Sequence, residues 1–416
     1  MNEADWVSYE EALAVILAAV ERTGVETLAA EDALARALAE PIVAPVDHPP
    51  WDNSAMDGFA VHADDVRGAS VEAPVSLPIS ETVSAGAFPS EPLRRGTAVR
   101  VMTGAPVPEG ASGVVRVEHT DAGPGDRVTI YDDADASRHI RPRAEDVRRG
   151  DVLLSPGEEI TPAVIGMLAM AGAGEVRVGR RPRVGILCNG DELAEPGDFD
   201  QVAAGRRIAN SNGPALAAQV RRAGGEPVSL GIARDDPASL EHRLVAGARC
   251  DAIVSAAGVS VGEHDYVKVV LERLGFARRF WRVRMRPGSA TLFGLLDGRP
   301  VWGVPGNPVS AMVTFETLVR PAIRRMAGFA AVERTEIPCR VAHDIHGSAD
   351  VVSFLRVVLT DGGGDPLEVR LSGPQGSGLL TSMLADGLLV FPEHKSRLDR
   401  GERARVLPLH DWSRAP

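Results

Sequence analysis

The chain has 416 residues and a net charge of −12, which excludes the basic face that nonspecific nucleic-acid binding needs. Aromatic residues at 4% exclude a surface that stacks many bases, while 44% hydrophobic and 25% charged residues supply cores for about two to four globular domains. No apolar run approaches the roughly 20 residues of a membrane span, and the acidic start MNEADWVSYEEALAVILAAV lacks the basic region and cleavage site of a signal peptide.

The first ~40 residues read as helix: Ser8 caps it, Glu11 completes a capping box, and Leu13, Ile16, Leu17 and Val20 share one face. Prolines between Pro41 and Pro50 break that pattern. From about Val61 to Tyr131 short β-rich runs such as VRVM and VVRV alternate with Gly/Pro turns, as in a small all-β module. Arg138 to Val178 begins basic and ends in an apolar helix after Thr161-Pro162, with Pro at the first helical position.

RVGILC, PVSLGIA, DAIVSAAG and RPVWGV then read as strands. Helices open between them at Asn212-Gly213-Pro214, Asp236-Pro237 and Asp265, and a long helix runs from Pro308 through Val319. Strands alternating with helices of this length predict a parallel α/β sheet, whose ligands sit beyond the carboxyl ends of the strands. After about Gly328 strand-like runs return, VVSFLRVVLT and LEVRLS among them, and predict a small barrel or sandwich. Cys188, Cys250 and Cys339 lie far apart without a CxxC pair, so they read as buried thiols in a reducing compartment.

Seven stretches offer chemistry. Asp52 to Ala60 places carboxylates beside Gly58, where on spacing alone an ordinary Asx-turn between domains is the better explanation. Thr103-Gly104 offers a hydroxyl and a close backbone approach, or a hairpin corner. Arg138, His139, Arg141, Arg143, Arg148 and Arg149 make a phosphate clamp or a solvated loop. Asn189-Gly190-Asp191-Glu192 follows the first parallel strand, where paired carboxylates hold Mg²⁺ through waters or cap a helix. Gly258 to Tyr266 is a glycine-bearing loop that can cradle phosphate, though it is neither GxGxxG nor a P-loop. In a strand, Arg282, Arg284 and Arg286 face one side, as an anion site or a charged edge strand does. Pro305-Gly306-Asn307-Pro308 opens a helix whose N-terminus suits a small oxyanion, or is a plain turn.

The order of these motifs is more specific than any one of them. DNSAMDG at Asp52, MTGA at Met102, GDEL at Gly190, VSVG at Val259, PGNP at Pro305 and QGSG at Gln375 together closely resemble the MoeA family of molybdopterin molybdenumtransferases, over about Trp6 to Val390. The C-terminal domain of gephyrin is the eukaryotic counterpart. The resemblance implies a multidomain α/β plus β fold in an elongated homodimer. Its parts are a helical linking domain (1–50 and 140–180), an inserted β-rich domain (51–139), a MogA-like three-layer parallel α/β domain (181–328) and a C-terminal β-barrel (329–416). It implies transfer of molybdate into the dithiolene of adenylylated molybdopterin, release of AMP, and a Mg²⁺ cofactor, in the cytoplasm. It also implies contact with a molybdopterin adenylyltransferase, and neither nucleic acid nor membrane as partner.

Carried over by motif, the catalytic positions are Asp57, Thr103, Asp146, Glu192, Asp235 and Asp265. The substrate positions are Ser260, Gly262, Arg282, Arg286, Pro305, Asn307, Pro308 and Ser377, and the metal positions Asp57, Glu192 and Asp265. Arg282 and Arg286 stand where the family has lysines, which keeps charge but changes donor geometry. Ala257 and Ala144 replace family glycines, so a Cβ is added where it matters if φ is positive. Ser289 replaces a frequent Lys, and Asp386 a frequent Asn. A non-catalytic pterin-binding scaffold, a tungstate-preferring transferase and adenylylation of molybdopterin are the competing readings. The adenylyltransferases lack the first ~180 residues and the C-terminal β module, and the retained acidic set opposes a purely scaffolding role.

Overall fold

A computed structural model describes residues 6–258, 266–360, 367–376 and 380–410. Two compact units divide the chain. One comprises residues 1–40, 156–165 and 175–416, and the other residues 41–155 and 166–174.

In the first unit, Ser8 caps the helix Tyr9–Ala19 with the full reciprocal capping box to Glu11. The helix stops well short of residue 40. The chain turns through Thr23-Gly24, with Gly24 at φ +106°, and the β-branched stretch Val25–Ala29 pairs antiparallel with Glu175–Gly179. Pairing with a distant strand outweighs the local helical pattern there.

The α/β part holds a six-stranded sheet. The strands Glu226–Ala233, Arg183–Asn189, Ala252–Ala256 and Arg299–Val304 are mutually parallel in that order, Leu292–Leu296 adds antiparallel to the last of them, and Ala277–Phe280 adds antiparallel to Leu292–Leu296. The antiparallel step comes from Asp297-Gly298, both at positive φ, the two-residue hairpin turn that suits strand twist. Helices cover both faces, giving three layers. Val184, Ile186, Val254 and Trp302 pack with Leu216, Val220 and Ile323. Leu187, Ile253 and Val301 pack with Leu240, Leu244 and Val270 on the other face. The helix from Pro308 continues to Met326, past the predicted end at Val319, through a π-helical turn at Phe315–Val319.

The C-terminal region closes into a barrel. Val352–Thr360, Leu367–Leu371, Ile337–Val341, Arg403–Pro408 and Gly387–Phe391 neighbour one another in turn, and the last returns to the first. Val357, Val369, Leu389, Phe391 and Val406 fill it. Closure removes free strand edges. The strand Arg282–Arg286 joins this barrel sheet, lying between Trp6–Ser8 and Val352–Thr360. It is not an edge strand, so its arginines are not there to protect an edge. Val283 and Met285 are buried, and Arg282, Arg284 and Arg286 face the other way.

The second unit is β-rich. Its five-stranded sheet runs Gly113–Arg116, Gly58–Val61, Ala98–Val101, Val75–Val83, Arg127–Ile130. Phe59, Val61, Leu77, Val115, Val128 and Ile130 form its core. Cys188, Cys250 and Cys339 are all free and buried, and burial pushes the Cys188 thiol up to about 12, so none is a reactive thiolate.

Candidate active site

The carboxyl ends of the four parallel strands carry one cluster of the predicted residues. After Arg183–Asn189 the chain turns at Gly190 and presents Asp191 and Glu192, both exposed. A Cβ on Gly190 would lie 2.4 Å and 2.6 Å from the Glu192 carboxylate oxygens. Glu192 therefore folds back over a position only glycine leaves open. Its own main chain is fixed by the Ile208 N–H, which donates to Glu192 O at 2.8 Å.

Neighbouring loops are tied to this one. Gly190 N donates to Ala233 O at 3.2 Å, and Asp191 N to Asp235 Oδ2 at 3.2 Å. Asn189 is buried, and its Nδ2 donates to Ser255 Oγ at 2.8 Å and to the carbonyls of Ala256 and Ala257 at 3.3 Å and 3.1 Å. Asn212 Nδ2 donates to Gly306 O at 2.7 Å, and Ala257 N to Val304 O at 3.0 Å. Glu192, Asp235, Pro305, Asn307 and Pro308 thus share one connected edge. Asn189 and Asn212 hold it together; the sequence places Asn189 in a stretch with chemistry without giving it a role, and Asn212 only at a helix start.

The β-rich unit carries the second cluster. Asp57 Oδ1 accepts from Thr103 N at 2.7 Å and from Thr103 Oγ1 at 2.8 Å, and these two bonds lower the Asp57 pKa. Gly58 follows because a Cβ there would lie 2.1 Å from Val115 O. The same loop is sewn to the basic stretch: Asp52 Oδ1 accepts from Arg143 N at 2.7 Å, and Ala55 N donates to His139 O at 2.8 Å. Asp47 holds that stretch too, accepting from Arg149 N at 2.7 Å and Arg143 Nε at 2.5 Å. Asp146 is exposed on it, with its N–H donating to His48 O at 3.1 Å. Asp57 and Thr103 are in direct contact, and Asp146 lies on a loop bonded to theirs.

Under that loop Asp135 is buried, 1% exposed, and accepts from Arg116 Nε at 2.8 Å while pairing with His139 Nε2 at 3.0 Å. Burial works to raise its pKa, but the bonds from Arg116 and His139 win and hold it at about 2. A carboxylate depressed on folding stabilises above its unfolded pKa, and that stability fades as pH falls through the folded value. We therefore expect Asp135 to contribute about 2 kcal/mol at neutral pH, lost from about pH 4 down to about pH 2. Chemical unfolding at stepped pH checks this: Asp135→Asn loses stability at pH 7 and shows a flatter acid limb. A limb as steep as wild type would contradict it.

The remaining predicted residues fall elsewhere. Arg282 lies over the Trp6 ring at 5.1 Å, Arg284 Nε is 4.0 Å from Glu393, and Arg286 is exposed. Among the described residues no hydrogen bond or ion pair ties Arg282 or Arg286 to the sheet's carboxyl edge. Ser260, Gly262, Asp265 and Ser377 lie outside the described residues. The stretch before Ser377 is held by Arg356, 1% exposed, which donates to Gly376 O at 3.2 Å and Ser382 Oγ at 3.3 Å and has no ion pair with a carboxylate among the described residues. Sequence reasoning missed this buried cation. Among the described residues no three His, Cys, Asp or Glu side chains converge as a metal cage.

Comparison with known proteins bears on this arrangement. The model of the MoeA N-terminal region (domains I and II) matches residues 7–172, the probable molybdopterin binding domain 185–325, and the MoeA C-terminal region (domain IV) 338–409. Molybdopterin molybdenumtransferase 2 of Mycobacterium tuberculosis is 37% identical, over 88% of this chain and 91% of its own. The molybdopterin molybdenumtransferase of a Nostoc species is 35% identical over 90% and 86%. The chain belongs to the MoeA family. A crystal structure of the molybdopterin biosynthesis moeA protein of Pyrococcus horikoshii aligns at TM-score 0.82 and 28% identity, over 96% of this chain and 99% of that one.

Within the MoeA pattern two departures have a geometric consequence. Ala257 has φ +74° and Ala144 φ +59°, the region where a Cβ is strained and glycine is not. We expect Ala257→Gly to raise stability by up to about 1 kcal/mol despite the extra freedom glycine gives the unfolded chain. A thermal melt decides it, and an unchanged or lower midpoint would show that the surroundings have absorbed the strain. Asp386 is integrated where the family often has Asn: its Oδ2 accepts from Leu359 N at 2.8 Å.

Proposed function

We propose that this chain is a molybdopterin molybdenumtransferase, inserting molybdate into the dithiolene of adenylylated molybdopterin with release of AMP. The observation that carries the reading is the Glu192–Asp235–Pro305 edge at the carboxyl ends of four parallel strands, in the region that matches the molybdopterin binding domain. Ligands of open α/β sheets bind there.

The roles follow from chemistry. Asp57 is kept ionised by its two bonds from Thr103, and the exposed Glu192 carboxylate has no hydrogen bond or ion pair among the described residues. Mg²⁺ is commonly held by one or two carboxylates with waters and substrate phosphates, not by an all-protein cage. The exposed Glu192 carboxylate fits that mode, and Asp57 and Asp265 are the further metal positions that the family motif proposes. When bound, the ion supplies neutralisation of phosphate charge. Arg282 and Arg286 offer fixed positive charge for phosphate or molybdate. Asp146 and Asp235 are the further acidic positions. Ser260, Gly262 and Ser377 are proposed substrate contacts, together with Pro305, Asn307 and Pro308 at the start of the helix that ends at Met326.

The four-domain division, a homodimer, contact with an adenylyltransferase and a cytoplasmic setting belong to the same proposal. In keeping with it, no helix among the described residues is long and apolar enough to cross a membrane. The test is AMP release from adenylylated molybdopterin with Mg²⁺, with and without molybdate. Release that depends on molybdate supports the transferase. ATP consumption would indicate an adenylyltransferase, and neither activity a binding scaffold.

A further inference from the structure

The carboxyl edge contains two asparagines whose amides are only half used. Asn189 spends Nδ2 on Ser255 Oγ and the carbonyls of Ala256 and Ala257, while its Oδ1 is buried without a partner among the described residues. Asn212 spends Nδ2 on the carbonyl of Gly306, and its Oδ1 is likewise buried without a partner among those residues. Neither amide can be turned over. Facing backbone carbonyls demand the NH₂ group at those positions, so the oxygens are fixed where they are.

The two belong to one patch. A Cβ on Gly306 would come within 2.9 Å of Ala257 Cβ, and one on Gly258 within 3.4 Å of Asn189 Nδ2. Of the residues they touch, Ala257 and Gly258 are partly exposed and Gly306 fully so. Among the described residues, Asp191, Glu192, Asp235 and Arg234 bring charge to this edge, and Arg234 is already paired with Asp191 at 3.6 Å. Two fixed amide oxygens attract hydrogen-bond donors. Buried polar groups are almost always paired, so an orphan acceptor at a ligand-binding edge points to a donor brought by the ligand.

We propose that Asn189, with Asn212, reads the N–H edge of the substrate's pterin ring, setting the preference for a 2-amino pterin. The inference rests on the transferase reading, because that reading supplies the pterin. Asn189 has two parts to play: its NH₂ holds the Ala256-Ala257 turn, and its oxygen selects the ring.

The test compares binding of 6-hydroxymethylpterin with 6-hydroxymethyllumazine, which carries oxygen in place of the 2-amino group, by calorimetry on the full chain. AMP is titrated in parallel. Wild type is expected to favour the pterin by roughly tenfold, the worth of one net hydrogen bond. Asn189→Leu is expected to bind the two rings within about twofold of each other, and the AMP titration reports whether the edge is still formed. A wild type that binds both rings equally overturns the proposal, as does an Asn189→Leu protein that keeps the wild-type ratio. Should Asn189→Leu fail to fold, the wild-type ratio and Asn212→Leu decide by the same criteria. If discrimination is absent while molybdate-dependent AMP release is intact, only this proposal falls. If wild type neither binds pterin nor releases AMP, the transferase reading falls with it.

Discussion

Glu192→Gln is expected to lower molybdate-dependent AMP release by about 100-fold or more, the usual scale for removing one charge from a preorganised electrostatic site. The substitution is nearly isosteric. It leaves the Ile208 N–H bond to the Glu192 carbonyl intact and still fits over Gly190, so a melting temperature close to wild type is expected. Loss of rate at constant stability assigns the effect to the missing charge. The Mg²⁺ concentration for half-maximal rate should rise in the same variant, because a neutral amide is a poorer oxygen ligand for a hard cation. Full activity with an unchanged Mg²⁺ requirement would remove Glu192 from the site.

The largest expected stability effect lies at Glu316, in the π-helical turn. Glu316 is 7% exposed. Its Oε2 accepts from Arg334 Nε at 3.0 Å and NH2 at 2.8 Å, its Oε1 from Gln219 Nε2 at 2.9 Å, and Arg320 Nε lies 4.0 Å away. Burial, followed by the neighbouring guanidiniums of Arg334 and Arg324, pushes Arg320 down to about 10. Glu316 is therefore the anion that two largely buried cations depend on. Glu316→Ala should cost about 3–5 kcal/mol, because it leaves those cations uncompensated. The double variant Glu316→Leu/Arg334→Leu removes charge from both sides and should cost less than the single one. Urea unfolding of the two proteins checks the order, and a double variant that is the less stable would contradict it.

Much of the fold is legible in the sequence because local and global signals agree. Asp236-Pro237 opens a helix, and Asp236 does accept from Ser239 N. Asn212 to Gly224-Gly225 bounds another, and the alternation of RVRMR puts Val283 and Met285 inside as the pattern demands. The failures have physical causes. Val25–Ala29 is a strand because Glu175–Gly179, some 150 residues away, offers it a ladder, which helical periodicity cannot register. Asp297-Gly298 is a readable hairpin signal, yet the alternation of strands and helices around it favours a uniformly parallel sheet.

The site is legible to a lesser degree. Acidic residues after strands are visible as motifs, and so is the glycine that lets Glu192 fold back. Asn212, Asp47 and Arg356 are not, nor is the role of Asn189 within its motif, because each acts by reaching a main-chain atom far along the chain. Asn189 spans to residue 257, and Asp47 to residue 149. Such partners become visible only once the strands are in register.

The most direct test of the transferase reading counts metal against nucleotide in a single turnover. Purified protein loaded with adenylylated molybdopterin is mixed with molybdate and Mg²⁺, and pterin-bound molybdenum and free AMP are quantified together. The account predicts one molybdenum transferred for each AMP released, with no AMP formed when molybdate is withheld. AMP released at the same rate without molybdate, or with no molybdenum on the pterin, would contradict it.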